Sequence, residues 1–287
     1  MLKPFTMSSV NRTMKSPRSI VALLIVTLSL VSAVSAQTQT TASAPENPID
    51  EKSQQIIDKA IEVLGGQAYL NVKSIVGKGF FSPFHEGASM PPARFLDYIV
   101  YPDRERTEFS GAGIKSIQTN VGETGWLYDG MVKKITDQEA AQIEDFKRTM
   151  KTSLENLLRG WWKKEGAKVR YAGRREAGLA KRNETVRLTY SDGFWIEYEF
   201  GARDGVPAKI IYKRSRKNTE TGDVEETTEE DQLFKFIAVS GVTQPWVIDH
   251  FVNGVQTTRI NYENVVYNQP LPDSLFAKPT DVKQIKN

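Results

Sequence analysis

The sequence predicts a mainly β, α+β protein: an antiparallel sheet of about ten to twelve strands with two or three helices packed on it. Three observations point there. Short runs rich in Val, Ile, Phe, Tyr and Thr recur in both halves of the chain, each bounded by Gly, Asp or Pro turn signals. Only two long stretches space their apolar residues at three and four, as an amphipathic helix does. Strands and helices do not alternate and no repeat of solenoid period occurs, which excludes a parallel βαβ architecture and a repeat array.

The first 36 residues stand apart from that pattern. Lys3, Arg12, Lys15 and Arg18 precede the apolar run IVALLIVTLSLV, and VSA at 34 to 36 offers small residues for cleavage before Gln37. This is the layout of a signal peptide, with an uncleaved inner-membrane anchor as the alternative because the run approaches membrane-spanning length. These residues hold four of the 38 basic side chains and none of the 35 acidic ones, leaving 34 against 35. A near-neutral remainder has no electrostatic basis for binding nucleic acid. The sequence contains no cysteine, which excludes disulfides, thiol catalysis, cysteine-held zinc and a lipoprotein signal.

Residues 37 to 48, QTQTTASAPENP, carry no apolar periodicity and read as a flexible leader; 49 to 287 read as a single domain. Asp50 caps a helix whose Ile56, Ile57, Ala60, Ile61 and Leu64 share a face, and Gly65-Gly66 ends it. Strand runs follow: SIVGKGFFSPF, ARFLDYIVY, RERTEFS, GIKSIQTNV and GWLYDGMVKKI, split by YPD, GE and DG. After Asp137, Ile143, Phe146, Met150, Leu154, Leu157, Leu158 and Trp161 mark a second helical region reaching about Gly160. The β pattern resumes with VRYAGRRE, ETVRLTY, FWIEYEF, PAKIIYKRS, EEDQLFKFIAV, WVIDHFVN and VQTTRINYENVVY. Pro270 and Pro272 stop the last strand, and Asp273 caps a short turn carrying Leu275 and Phe276 as an apolar plug. Alternation places Leu96, Tyr98 and Val100 on one sheet face, and Phe194, Ile196, Tyr198 and Phe200 likewise.

Catalysis has little support. No GxSxG, HExxH, Walker A, paired CxxC or EF-hand loop occurs. His85 lies in a loop and reads as a solvated side chain, while His250 alternates with Ile248 and Val252 in a strand, suited to a core edge or cavity wall. Glu197 and Glu199 share a face with Trp195 and read as a solvated outer surface rather than an acid-base pair. KRSRK at 213 to 217 opposite GDVEETTEED reads as a hairpin with opposite charges on its arms, guarding a sheet edge. The pair Trp161-Trp162, followed by Lys163 and Lys164, fits an amphipathic boundary or a core anchor equally well. No catalytic residue, metal or cofactor is expected.

Several segments together are similar to one family. The Gly-Gly-ended first helix leading into SIVGKG, YPDRERTEF, GETGWLYDG, SDGFWIEYEFGARDGVPAKIIYK and the closing YNQPLPDSLFAKP resemble, in order, the LolA-like outer-membrane lipoprotein-sorting proteins, over about residues 50 to 279. The chain is longer than typical members, and the charged hairpin and the Trp pair are not family features. The resemblance implies export to the periplasm and an unclosed antiparallel β-barrel with helices as a lid over its concave face. It also implies a cavity for lipid or lipoprotein acyl chains. The expected cavity residues are Leu96, Tyr98, Val100, Trp126, Phe146, Met150, Leu154 and Tyr198, with Arg106 as a lid partner or, equally, a member of a surface salt bridge. A monomeric carrier with inner- and outer-membrane handover proteins as partners follows. A sensor of the same fold that regulates an envelope partner, or a secreted hydrolase relying on Glu and His, are the alternatives.

Overall fold

A computed structural model of the chain describes residues 47–217 and 222–285. The signal peptide expected over 1–36 and nearly all of the leader lie outside the described residues. The helices are α1 (Glu51–Val63), α2 (Gln67–Leu70), α3 (Ala140–Thr152) and α4 (Leu154–Leu158). The first half of the chain supplies β1 (Ser74–His85), β2 (Ala88–Ser89), β3 (Ala93–Val100), β4 (Arg104–Gly111), β5 (Ile114–Val121), β6 (Thr124–Asp129) and β7 (Lys134–Asp137). The second half supplies β8 (Lys168–Glu176), β9 (Arg182–Thr189), β10 (Trp195–Gly201), β11 (Pro207–Lys217), β12 (Val224–Val239), β13 (Val242–Val252) and β14 (Val255–Tyr267).

These form one 14-stranded sheet in the order β7-β6-β5-β4-β3-β1-β14-β13-β12-β11-β10-β9-β8, with β2 a side pairing on β1. All of its ladders are antiparallel. Two strands exceed the count read from the sequence. One is the two-residue β2, and the other arises because GWLYDGMVKKI breaks at Asp129-Gly130 into β6 and β7. Gly130 is needed there, since a Cβ would lie 1.9 Å from the Lys115 carbonyl oxygen. The pairing of β1 with β14 joins the two halves, and β7 and β8 remain the edges, so the sheet is unclosed. Edges invite pairing with other chains. Residues 48–50 cover that of β8: Ile49 bridges Val169, Val169 N–H donates to Pro48 O at 2.8 Å, and Tyr171 N–H donates to the Asp50 carboxylate at 2.7 Å. The same carboxylate caps α1 by accepting from Ser53 N–H at 2.9 Å, so one side chain starts the helix and blocks the edge.

The core lies between the helices and the sheet face they cover. Ile56, Ile57 and Ala60 of α1, Leu64 just after it, and Leu157 and Leu158 of α4 pack on Val169, Val186, Leu188, Ile196, Tyr198 and Phe200. Each large side chain fully removed from water contributes about 1.5–3 kcal/mol. Trp162 is a core anchor, 1% exposed, whereas Trp161 is half-buried and tilts against Tyr101. Arg159, at the C-terminal end of α4, donates to the carbonyls of Tyr69, Leu70 and Val72 and lies over the Tyr69 and Tyr101 rings. One guanidinium thereby ties the end of α2 to the α4 turn.

The second helical region is not continuous. Ser153 takes an extended conformation (φ −60°, ψ 153°), ending α3 and capping α4 through its hydroxyl. A Thr-Ser pair competes locally for backbone hydrogen bonds, which favours such a break. The carbonyls it frees find other donors: the Tyr198 hydroxyl of β10 donates to Thr152 O or Ser153 O, and the Asn156 amide of α4 donates to Lys151 O.

The closing segment packs on the other sheet face. The Trp126 indole N–H donates to Phe276 O at 2.9 Å, Arg106 donates to Leu275 O at 3.0 Å, and Val282 and Ile285 pack against Ile117, Trp126 and Tyr128. The apolar plug expected of Leu275 and Phe276 therefore covers the outer face of the sheet. Asp273 makes no cap; its carboxylate pairs with Arg104 instead.

Candidate functional site

A cavity of about 530 Å³ lies between α3-α4 and the covered sheet face. Its volume falls within the roughly 300–1,000 Å³ of ligand sites. One wall is apolar, made by Ile75, Ile99, Ile210, Leu233, Ile248 and Ile260 from six strands, closed by Leu154 from α4. Cross-strand register brings these together: Ile75 faces Ile99, Leu233 faces Ile248, and Ile248 faces Ile260. β-branched side chains on a pleated sheet are stiff, so the wall is pre-formed.

One residue pair further along the same strands, the wall turns charged. His250 Nδ1 lies 2.7 Å from Asp231 and Nε2 2.9 Å from Glu229. A bulge between His250 and Phe251 locally shifts the register of β13, and bulges re-aim side chains in this way. Burial disfavours the charged imidazole, but the hydrogen bonds and charges of both carboxylates outweigh it and push its pKa up to about 9. The ring is then doubly protonated at neutral pH and donates from both nitrogens. Glu229 is also buried, yet its bonds from His250 and Thr227 hold its carboxyl below the usual range. From α3, Asp145 reaches down to Arg214 of β11 and also accepts from Arg148. This bridge fastens the helix over the cavity. A second, more open groove of about 970 Å³ runs along α3, lined by Phe146, Met150, Trp161 and Phe194 with Lys147 and Lys151.

The expected site residues divide between these places. Leu154 lines the cavity, and Phe146 and Met150 line the outer groove. Tyr198 is fully buried in the core, its hydroxyl beneath the α3-α4 break. Leu96, Tyr98 and Val100 are in register with Glu108, Arg106 and Arg104, which puts them on the outer face with the closing segment. Trp126 is on that face too, under Phe276. The reason is the phase of β3: Phe95, Asp97 and Ile99 are the residues that face inward, because the inner face accepts the buried Asp97. Arg106 does not meet α3; it pairs with Glu108, lies over the Trp126 ring and holds the closing segment.

Of the other residues weighed, His85 is exposed at the β1-β2 turn. Glu197 and Glu199 face outward but are not solvated, being 3% and 5% exposed beneath Arg175, Arg187 and Asn183. β11 and β12 form the charged hairpin, with Lys213 on Glu226 and Lys209 on Glu230. Arg214 breaks that pattern by turning inward to α3. His250 was within reach of sequence reasoning through its alternation with Ile248; Asp145 and Arg214 carried no sequence signal that joined them.

Among the described residues no group of three or more His, Cys, Asp or Glu converges as a metal site, and no helix is long and apolar enough to cross a membrane.

Comparison with known proteins places the fold. No protein-family model matches the chain, and no curated protein matches it. Solved structures do. A LolA superfamily protein from Nitrosomonas europaea matches with a TM-score of 0.51 at 12% identity, over 79% of this chain and 97% of the other. A DUF1329 family protein from Desulfovibrio piger matches with a TM-score of 0.54 at 11% identity, over 78% of this chain and 97% of the other. The chain therefore has a LolA-like fold.

Proposed function

We propose that this chain is a non-enzymatic periplasmic carrier, holding an acyl chain of a lipid or lipoprotein in the cavity beneath α3 and α4. The observation that carries the reading is the isoleucine-rich wall under a helix fastened by the Asp145–Arg214 ion pair. An acyl chain entering it leaves water at about 0.8 kcal/mol per CH2, offset by opening the helix and by lost freedom. The charged cluster borders the apolar wall, so the ligand lies with its tail on Ile248 and Ile260 and its polar end on the side of His250. Handover proteins at the two membranes are the partners such a carrier needs.

A sensor whose sheet edge takes a partner has less support, because residues 48–50 cover the β8 edge and β7 is four residues long. A hydrolase built on His85 and Glu197 has less still, since Glu197 already accepts from Arg175 and Arg187.

Titration with a fluorescent long-chain fatty acid tests the proposal. The protein should bind it, and Ile248→Trp, which fills the apolar wall, should weaken binding at least about tenfold, or 1.4 kcal/mol. Overpacking costs about 1–3 kcal/mol of stability, so the variant's melt is recorded alongside. Binding unchanged in a folded Ile248→Trp protein would show that the cavity is not the site.

A further inference from the structure

The charged side chains that line the cavity beneath α3 and α4 do not balance: four are acidic, Asp145, Glu155, Glu229 and Asp231, against Arg148, Arg214 and His250. Each of the cations already has an acidic partner. His250 lies 2.7 Å from Asp231 through one ring nitrogen and 2.9 Å from Glu229 through the other. A neutral imidazole donates from one nitrogen only, so bonds to both carboxylates require the charged ring. Arg148 donates to Asp145 at 2.7 Å, and Arg214 pairs with the same carboxylate.

The acid left over is Glu155, in the first turn of α4. It is half-buried on the cavity and enters no ion pair among the described residues. The start of a helix tolerates a carboxylate, so the fold can keep this one without a cation. Its field reaches across to the sheet: burial raises the pKa values of the Tyr101 and Tyr267 hydroxyls, and the Glu155 charge raises them further. Screening is weaker inside a cavity than in water, so a surplus negative charge there repels an incoming anion. Like charges brought together in this way exclude the wrong partner. An uncharged polar end meets no such opposition, and Thr258, opposite His250 in the β13-β14 ladder, offers it a hydroxyl.

We propose that Glu155 makes the cavity select amphiphiles by the charge of their polar end, rejecting carboxylate and phosphate ends and accepting uncharged or cationic ones. The inference rests on the carrier reading and narrows its ligand to chains without an anionic end. A free fatty acid then occupies the cavity as a weak ligand and serves as a displaceable reporter.

The test compares three ligands of one chain length, dodecanoate, monododecanoylglycerol and dodecylammonium, each displacing the fluorescent fatty acid near neutral pH and below its micelle-forming concentration. Dodecanoate and dodecylammonium carry one charge each, so a difference between them reports the sign of the charge rather than the cost of desolvating it. The glycerol ester and the ammonium should each displace the reporter at a concentration at least about tenfold below that of dodecanoate. Glu155→Gln should shrink that ratio, a readout that a general loss of folded protein does not move. Dodecanoate displacing as well as dodecylammonium in the wild type, or a ratio that survives intact in Glu155→Gln, would overturn the proposal. If the three ligands bind alike and all are lost in Ile248→Trp, the selection fails and the carrier reading stands; if none responds to Ile248→Trp, both fail.

Discussion

His250 shows how one residue acquires its role from its neighbours. Between Asp231 and Glu229 the ring is held protonated, its pKa pushed up to about 9 from an ordinary value near 6.5. A raised pKa in the folded state means the contribution is complete below about pH 6.5 and is lost as pH rises through about 9. Its ceiling is about 3 kcal/mol. The difference between wild-type and His250→Gln denaturant midpoints should therefore shrink across pH 6.5 to 9; a difference constant with pH would show that folding does not raise the pKa of the ring. Asp97 and Glu105 are raised too, by burial first and, for Glu105, by the charge of Asp97. Asp97 also explains what the sequence hid. In ARFLDYIV the even set Leu96, Tyr98 and Val100 is the more apolar, so hydrophobicity chose the outer face. Alternation fixes that two faces exist, but a buried carboxyl reverses which of them looks like the core. In β10 no such residue intervenes, and Ile196, Tyr198 and Phe200 were legible as the inner set.

At the level of elements, the sequence carried types better than junctions. The α1 cap at Asp50, the Gly-Gly stop and the runs of most strands were readable because each rests on local chemistry. The break at Ser153 was not, since the three-and-four spacing continues through it and its stability comes from the distant Tyr198 hydroxyl. The closing turn was legible as an apolar anchor and not as to its place. Phe276 is 4% exposed, lies beneath Arg104 and accepts from the Trp126 indole through its carbonyl. Phe276→Ala should cost about 3–5 kcal/mol and shift Trp126 emission to the red, with fatty-acid affinity per folded molecule unchanged. A loss of affinity without loss of stability would assign the segment to the ligand site.

Across the whole molecule, a sheet that pairs its first and last strands but leaves β7 and β8 apart has an inner face too large for its own side chains to fill alone. α1 and α4 fill the half nearest β8 as a packed core. Toward β13 and β14 the filling stops, and the cavity under α3 is what remains. A LolA-like fold was legible from segment order because turns and strand lengths carry it; the charged wall was not, because it joins β11, β12, β13 and α3. The most direct measurement is native mass spectrometry of the protein purified without detergent from the envelope of its own cells. The carrier account predicts a bound species of lipid or acylated-peptide mass that is lost in Ile248→Trp. A wild-type protein of bare polypeptide mass, or one carrying the same adduct in the filled-cavity variant, would contradict it.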